Sequence, residues 1–280
     1  MPVMTYDATQ VYALGADTGE TGRLRRQSEE LRPEALALLD RIGLLPGQAA
    51  IDLGCGPSGI LDMLADQVGP GGHVVGLDAN AAHVAIAAGR ARRARRDGLA
   101  NVSVMTGDAR HTGLPHGTFD LVHARALLVT IPDPAEVVAE MTRLARPGGW
   151  IAGQEPDVGF ALCHPPLAAW DRLLDLFRGS FGRSGADFRT GRRLGELFRA
   201  GGIEQVGVAV LAPAYPAGHS RRTVIPDLVR GLRPAILELG LAGDRELGEL
   251  DSAVRRHLAD PRTLMMPHLL MTAWGRKPSC

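Results

Sequence analysis

The chain has 280 residues, 45% of them hydrophobic and 22% charged, with 31 basic side chains against 31 acidic ones. A neutral chain of this length is expected to fold around a sizeable core, and its charge gives no reason to expect a nucleic acid or an anionic membrane as partner. The three cysteines, Cys55, Cys163 and Cys280, have no short spacing, which argues against a disulfide framework and a zinc ribbon.

The N-terminus, Met1–Asp7, lacks the basic flank and apolar stretch of a leader, and no apolar run approaches the ~20 residues that span a bilayer. A cytoplasmic protein is therefore expected. The first 45 residues read as mostly helical, with Pro33 opening a helix over Glu34–Ile42 that Gly43 ends. From Gln48 onward, short β-branched runs alternate with helical patterns. Strands are predicted at Gln48–Leu53, His73–Leu77, Asn101–Met105, Phe119–Ala124 and Trp150–Gln154. Helices are predicted at Ile60–Val68, Asn80–Arg96 and Asp133–Arg146, the last with Pro134 in its first turn. That alternation specifies a parallel sheet with helices on both faces and right-handed crossovers.

Past Glu155 the pattern changes. Helices are expected at Pro166–Phe181, Arg192–Ala200, Arg221–Leu239 and Asp244–Ala259, with strands at Ile203–Leu211 and Leu264–Trp274. The expected organisation is an N-terminal helical segment (1–45), a ligand-binding core (46–155), and a remainder (156–280) whose helical insertions fall at about 156–190 and 212–262. Seven of the twelve aromatic residues lie between Phe160 and Tyr215, inside that remainder.

The stretch Asp52-Leu-Gly-Cys-Gly-Pro-Ser-Gly59 carries the most chemistry. Glycines at a strand end let a ligand approach the backbone, and the helix that follows offers free N–H groups. Gly54, Gly56 and Gly59 spell GxGxxG, and Asp78 follows Gly54 by 24 residues, a pattern that also describes a nicotinamide dinucleotide site. Asp52 on the strand and Asp108 after the third strand turn the balance. Three carboxylates at successive strand ends form a ridge suited to a cationic, non-phosphorylated nucleoside. The run Arg90–Arg96 sits on one helix without interleaved aromatics and reads as a solvated face. Nine histidines at no metal-ligand spacing give no reason to expect a metal.

With Val74-Val-Gly-Leu-Asp78, Gly107-Asp108-Ala109, Phe119-Asp-Leu-Val122 and Arg146-Pro-Gly-Gly149 in order, the sequence resembles the class I S-adenosylmethionine-dependent methyltransferases. The likeness is greatest to the ubiquinone/menaquinone C-methyltransferase-like group of small-molecule enzymes. The resemblance implies an α/β, Rossmann-like, seven-stranded and mostly parallel sheet of order 3-2-1-4-5-7-6, with S-adenosylmethionine as cofactor. It places Asp52, Gly54 and Gly56 around the methionine moiety, Asp78 on the ribose hydroxyls, and Asp108 on the adenine amino group with Ala109 beside the ring. Cys55, Ser58, Ala79, Gly107 and His123 join the cofactor-binding set, and Tyr12 and Gln27 match positions that close over the donor. Two departures stand out: Ser58 occupies a frequent glycine position, next to Gly59, and Val129-Thr130 replaces a histidine pair.

His123 and Arg125 follow strand four and Glu155 ends strand five, so these three are the catalytic candidates. His123 is read as a cofactor contact or proton acceptor, or else as a backbone-bonding histidine, and Glu155 as a base or as a partner of Arg125. Phe160, Trp170, Phe177 and Tyr215 are the candidate substrate-binding residues, although Trp170 and Phe177 sit at helical spacing and also suit a buried face. The expected acceptor is a small molecule, aromatic, indole-like or quinone-like, methylated at carbon, nitrogen or oxygen. A homodimer stands as an open expectation. The rival readings are an NAD(P)-dependent oxidoreductase and a non-catalytic cofactor-binding protein.

Overall fold

Short strands that are apolar throughout need cover on both faces, and the helices between them supply it. The computed structural model describes residues 18–96, 101–182 and 185–279. Two helices, α1 (Thr18–Glu30) and α2 (Arg32–Ile42), precede the alternating core of β1 (Ala49–Leu53), α3 (Leu61–Val68), β2 (His73–Asp78), α4 (Ala81–Arg96) and β3 (Asn101–Thr106). The core continues through β4 (Phe119–Arg125), α5 (Pro134–Leu144) and β5 (Ala145–Asp157). Next come β6 (Leu162–His164), α6 (Ala168–Phe181), α7 (Thr190–Ala200) and β7 (Glu204–Leu211). The chain ends with α8 (Val224–Gly231), α9 (Arg233–Glu238), α10 (Asp244–Ala259), β8 (Leu264–Met266) and β9 (Leu269–Arg276).

The main sheet runs β3-β2-β1-β4-β5-β9-β7, while β6 and β8 pair separately. The first five strands are mutually parallel, and β9 lies antiparallel between β5 and β7. Counted among the seven strands of that sheet alone, the order is the expected 3-2-1-4-5-7-6. One face packs Leu39, Leu64 and Leu121 against α2 and α3; the other packs Val122, Met141 and Phe198 against α5 and α7. A third cluster, around Trp170, Phe177, Ile225 and Val254, gives the helical cover its own core. Among the described residues no helix is long and apolar enough to cross a membrane.

Three boundaries differ from the sequence expectation. The helix expected to reach Arg146 ends at Leu144, and 145–149 open β5 with a register shift against β4. Pro147 has no N–H to extend a helix, and Gly148 adopts φ +70°. The single helix expected over Arg221–Leu239 is instead a 3-10 turn (Ser220–Thr223) followed by α8 and α9, which part at Leu232 ahead of Pro234. The strand expected over Leu264–Trp274 divides at Pro267-His268, sending β8 to β6 and β9 to the main sheet.

Residues paired across a sheet point to the same face. Asp52, His123 and Ala152 form one such row; Arg125, Gln154 and Thr272 form the next toward the carboxyl ends. Pro156 and Leu270 form a third row on the same side. Glu155, one residue out of phase, faces the other way.

Candidate active site

The glycine turn after β1 is held from below. Gly54, Gly56 and Gly59 take φ of +66°, +57° and +52°, conformations that side chains oppose. A Cβ on Gly54 would meet Leu127 Cδ1 at 2.8 Å, and one on Gly59 would strike the Asp52 carboxylate. Asp52, 2% exposed, accepts from the Ile60 N–H at 3.1 Å and lies 2.8 Å from His123 Nδ1. Its oxygens therefore brace the turn and orient the histidine.

Asp78 accepts from the Gly56 N–H at 2.7 Å and from the Asn80 N–H at 2.8 Å, which ties the β2 end to the turn. Each carboxylate oxygen keeps a lone pair for a further donor. Asp108 forms a two-point ion pair with Arg110, at 3.0 Å and 2.6 Å, and this guanidinium holds its carboxyl below the ordinary range. Cys55 packs beneath the turn, where burial pushes its thiol well above the ordinary value. Ser58 Oγ is buried with no protein partner among the described residues.

Arg125 joins the core to the N-terminal helices. It donates to Ser28 Oγ at 3.1 Å, Leu31 O at 3.4 Å and Gly59 O at 3.4 Å, while Ser28 Oγ donates to Gly59 O at 2.6 Å. Glu155 is fully buried on the opposite side of β5. Its carboxylate accepts the N–H groups of Leu127, Leu128 and Val129 at 3.0, 3.0 and 3.1 Å, fixing the 3-10 turn Leu128–Thr130. Burial outweighs these donors and raises its pKa to about 7.

These elements enclose a cavity of about 490 Å³ along the carboxyl edge of the sheet. Its donor-side wall carries Gln27, Asp52, Gly54, Cys55, Gly56, Ser58, Asp78, Ala79, Gly107, Asp108 and Ala109, so the structure brings these residues of the expected set together. Tyr12 lies outside the described residues. Under the cover the same cavity is lined by Leu127, Val129, Phe177, Phe181, Phe188, Ile225 and Leu228, and Arg125, Gln154, Arg221 and His268 also line it.

Several expected placements are corrected. His123 is wholly buried under the turn and does not line the cavity, and neither does Glu155. Glu155 does not pair with Arg125; it serves backbone donors instead. Of the four aromatic candidates only Phe177 reaches the cavity. Trp170, 2% exposed, lies inside the cover core, and Phe160, half exposed, packs under the Arg192 guanidinium at 4.7 Å. Tyr215 stacks on His219 with ring centroids 4.5 Å apart. The aromatic-rich segment pointed to Phe181 and Phe188 in general terms, whereas nothing in the local sequence marked Arg221, Gln154 or His268.

The site fits S-adenosylmethionine on its own geometry: the glycine cradle has no room for Cβ atoms at Gly54 and Gly59, and Ser58, whose buried hydroxyl has no partner among the described residues, lines the same space. Comparison with known proteins agrees. Residues 44–177 match the family model of a methyltransferase domain. The chain is 42% identical over 123 residues to nocamycin O-methyltransferase of Saccharothrix syringae, covering 44% of this chain and 43% of that one. It is 39% identical over 120 residues to an uncharacterized 37.1 kDa transposon protein of Streptomyces fradiae, covering 43% of this chain and 33% of that one. The chain thus spans less than half the length of both relatives.

A longer alignment, 28% identical over 202 residues, covers 67% of this chain and 82% of demethylmenaquinone methyltransferase of Bacillus cytotoxicus. In structure, phosphoethanolamine N-methyltransferase 2 of Haemonchus contortus, solved with S-adenosyl-L-methionine, superposes with TM-score 0.57 at 20% identity, over 88% of this chain and 52% of its own. That likeness concerns the fold. Residues 44–177 are thus similar to a methyltransferase domain, and the relatives matched over parts of the chain include methyltransferases.

Proposed function

We propose that this protein transfers the methyl group of S-adenosylmethionine to a small-molecule acceptor with an aromatic or quinone-like body. One observation carries the reading: a single cavity joins the acidic, glycine-lined donor wall to an apolar chamber built on Phe177, Phe181 and Phe188. The bound cofactor supplies an electrophilic methyl group on a sulfonium. Asp78 would accept from the ribose hydroxyls through its remaining lone pairs, and Asp108, shared with Arg110, would hold the adenine. The core, residues 46–155, holds the donor, and the insertions of 156–280 select the acceptor.

Displacement at a methyl group is in-line, so holding the two reactants in register supplies most of the rate, on the order of 7–11 kcal/mol. The Phe177, Phe181 and Phe188 walls exclude water from that line. His123 and Glu155 are positioning residues: one orients the turn through Asp52, the other fixes the loop after β4. The test is calorimetric titration with S-adenosylhomocysteine and NADH, followed by transfer of labelled methyl from the donor to a panel of phenols, indoles and quinols. The expected outcome is binding of S-adenosylhomocysteine alone and label in an aromatic product. Binding of NADH without S-adenosylhomocysteine, or donor binding with no labelled product, would overturn the reading.

A further inference from the structure

The acceptor end of the cavity contains a cluster that the methyl-transfer chemistry leaves unused. Arg221, 4% exposed, lies in the 3-10 turn that opens the second insertion. Its Nη1 is 3.6 Å from Glu30 Oε2 and its Nη2 is 3.2 Å from His268 Nε2. Its Nε is buried and has no hydrogen-bond partner among the described residues. His268 is 5% exposed, and burial with the adjacent Arg221 charge lowers its pKa to about 3. The imidazole is neutral at physiological pH, so its Nε2 accepts from Arg221 and its proton sits on Nδ1.

Two more polar side chains belong to this wall. Gln154, 1% exposed, donates to Glu34 O and Thr272 Oγ1 and leaves its buried Oε1 without a partner. Arg125, in the same row of the sheet, bonds only to neutral oxygens of Ser28, Leu31 and Gly59. Burial lowers its pKa, Asp52 and Glu34 oppose that shift as more distant charges, and Arg221 lowers it further. The cavity wall therefore carries the Arg221 guanidinium, with a buried N–H unpartnered among the described residues, and an imidazole too weak to take a proton, while Arg125 lies beside the glycine turn. A buried guanidinium N–H left without an acceptor is costly, and a charged acceptor satisfies it best. Among the described residues of this wall no group is suited to ionising a neutral acceptor, because His268 is held neutral and His123 and Glu155 lie outside the cavity.

We infer that the acceptor binds as an anion: an apolar body between Phe177, Phe181 and Phe188, with an ionised oxygen group (carboxylate, phenolate or enolate) received by Arg221 Nε beside His268. This rests on the methyltransferase reading of the same cavity. It accounts for an apolar chamber that shares its cavity with a guanidinium only partly satisfied by Glu30, and it removes the need for a catalytic base.

The test uses the full chain saturated with S-adenosylhomocysteine at pH 7.5. The probes are 2-naphthoate, 4-phenylbenzoate and decanoate, each compared with its neutral amide by calorimetry. At least one acid is expected to bind about tenfold or more tightly than its amide. Arg221→Gln should remove that preference while leaving amide binding within about twofold. If no acid binds more tightly than its amide, or if the preference survives in Arg221→Gln, the inference is overturned. Should Arg221→Gln fail to fold, the acid–amide comparison on the unaltered protein decides alone. Failure of S-adenosylhomocysteine to bind the unaltered protein would instead overturn the methyltransferase reading, so the two failures are distinguishable.

Discussion

Glu155 gives the fold a titration that can be measured against an internal reference. Its carboxyl is fully buried, and its pKa rises from the ordinary 4.5 to about 7 despite three backbone donors. At about 1.4 kcal/mol per tenfold change in proton affinity, that difference amounts to ~3 kcal/mol. The sign follows from which state holds the proton. Below pH 4.5 both the folded and unfolded chains are protonated, and the contribution is fully present. Between 4.5 and 7 only the folded chain keeps its proton, so stability falls as pH rises. Above 7 both are ionised, and the ~3 kcal/mol stays lost. Glu155→Gln keeps the size of the side chain and removes the titration. Urea unfolding followed by fluorescence of Trp150, Trp170 and Trp274, at intervals from pH 4.5 to 8, gives the stability of each protein. Every other titrating group cancels in the difference. Wild type minus variant is expected to decline by ~3 kcal/mol across that range. A difference that stays constant to within about 0.5 kcal/mol would show that burial does not dominate over the N–H donors.

Other perturbations separate the donor wall from the cover. Gly59→Ala places a Cβ against the Asp52 carboxylate at φ +52°, and the left-handed backbone alone costs about 1–2 kcal/mol. Affinity for S-adenosylhomocysteine should fall by tenfold or more, on the order of 1.4 kcal/mol, and unchanged calorimetry would refute the cradle. Asp78→Ala removes the acceptor shared by Gly56 and Asn80; donor affinity should fall about 10–100-fold, and an unchanged value would mean that the ribose lies elsewhere. Trp170→Ala hollows the cover core and should lower unfolding stability by about 3–5 kcal/mol. Donor affinity of the folded protein should not change, and a matching loss of affinity would put Trp170 at the cavity after all.

Much of the core was readable because each strand is a short β-branched run and each glycine stop is local. The order of the sheet came from the family motifs, not from periodicity. What the sequence hid were contacts between distant segments. Asp52 and His123 are 71 residues apart, and only the β1–β4 register brings the ring beneath the carboxylate. Glu155 was visible as a carboxylate at a strand end, but its direction depends on the phase of β5, which sets it opposite Gln154 and Pro156. The aromatics show the same limit. Trp170 and Phe177 lie two turns apart on α6, and both are buried, yet the first contacts only the cover core and the second also lines the cavity. Helical spacing identifies the shared face without revealing where that face ends. Pro234 and Pro267, which the expected helix and strand ran through, mark the two places where an expected element divides.

The 13-residue strand β5 pairs with β4 as far as Gln154, across a register shift, and with β9 from Trp150 to Asp157. Gln154 and Pro156 project from that strand into the cavity. In the proposed reaction the sheet would work as a ruler: the reach from sulfonium to acceptor would be set by strand geometry, at about 3.3 Å per residue. Discrimination among acceptors then depends on which atom of a candidate falls at that fixed reach once its far end is seated. A longer or shorter molecule would present the wrong atom to the methyl group even where it fits the chamber.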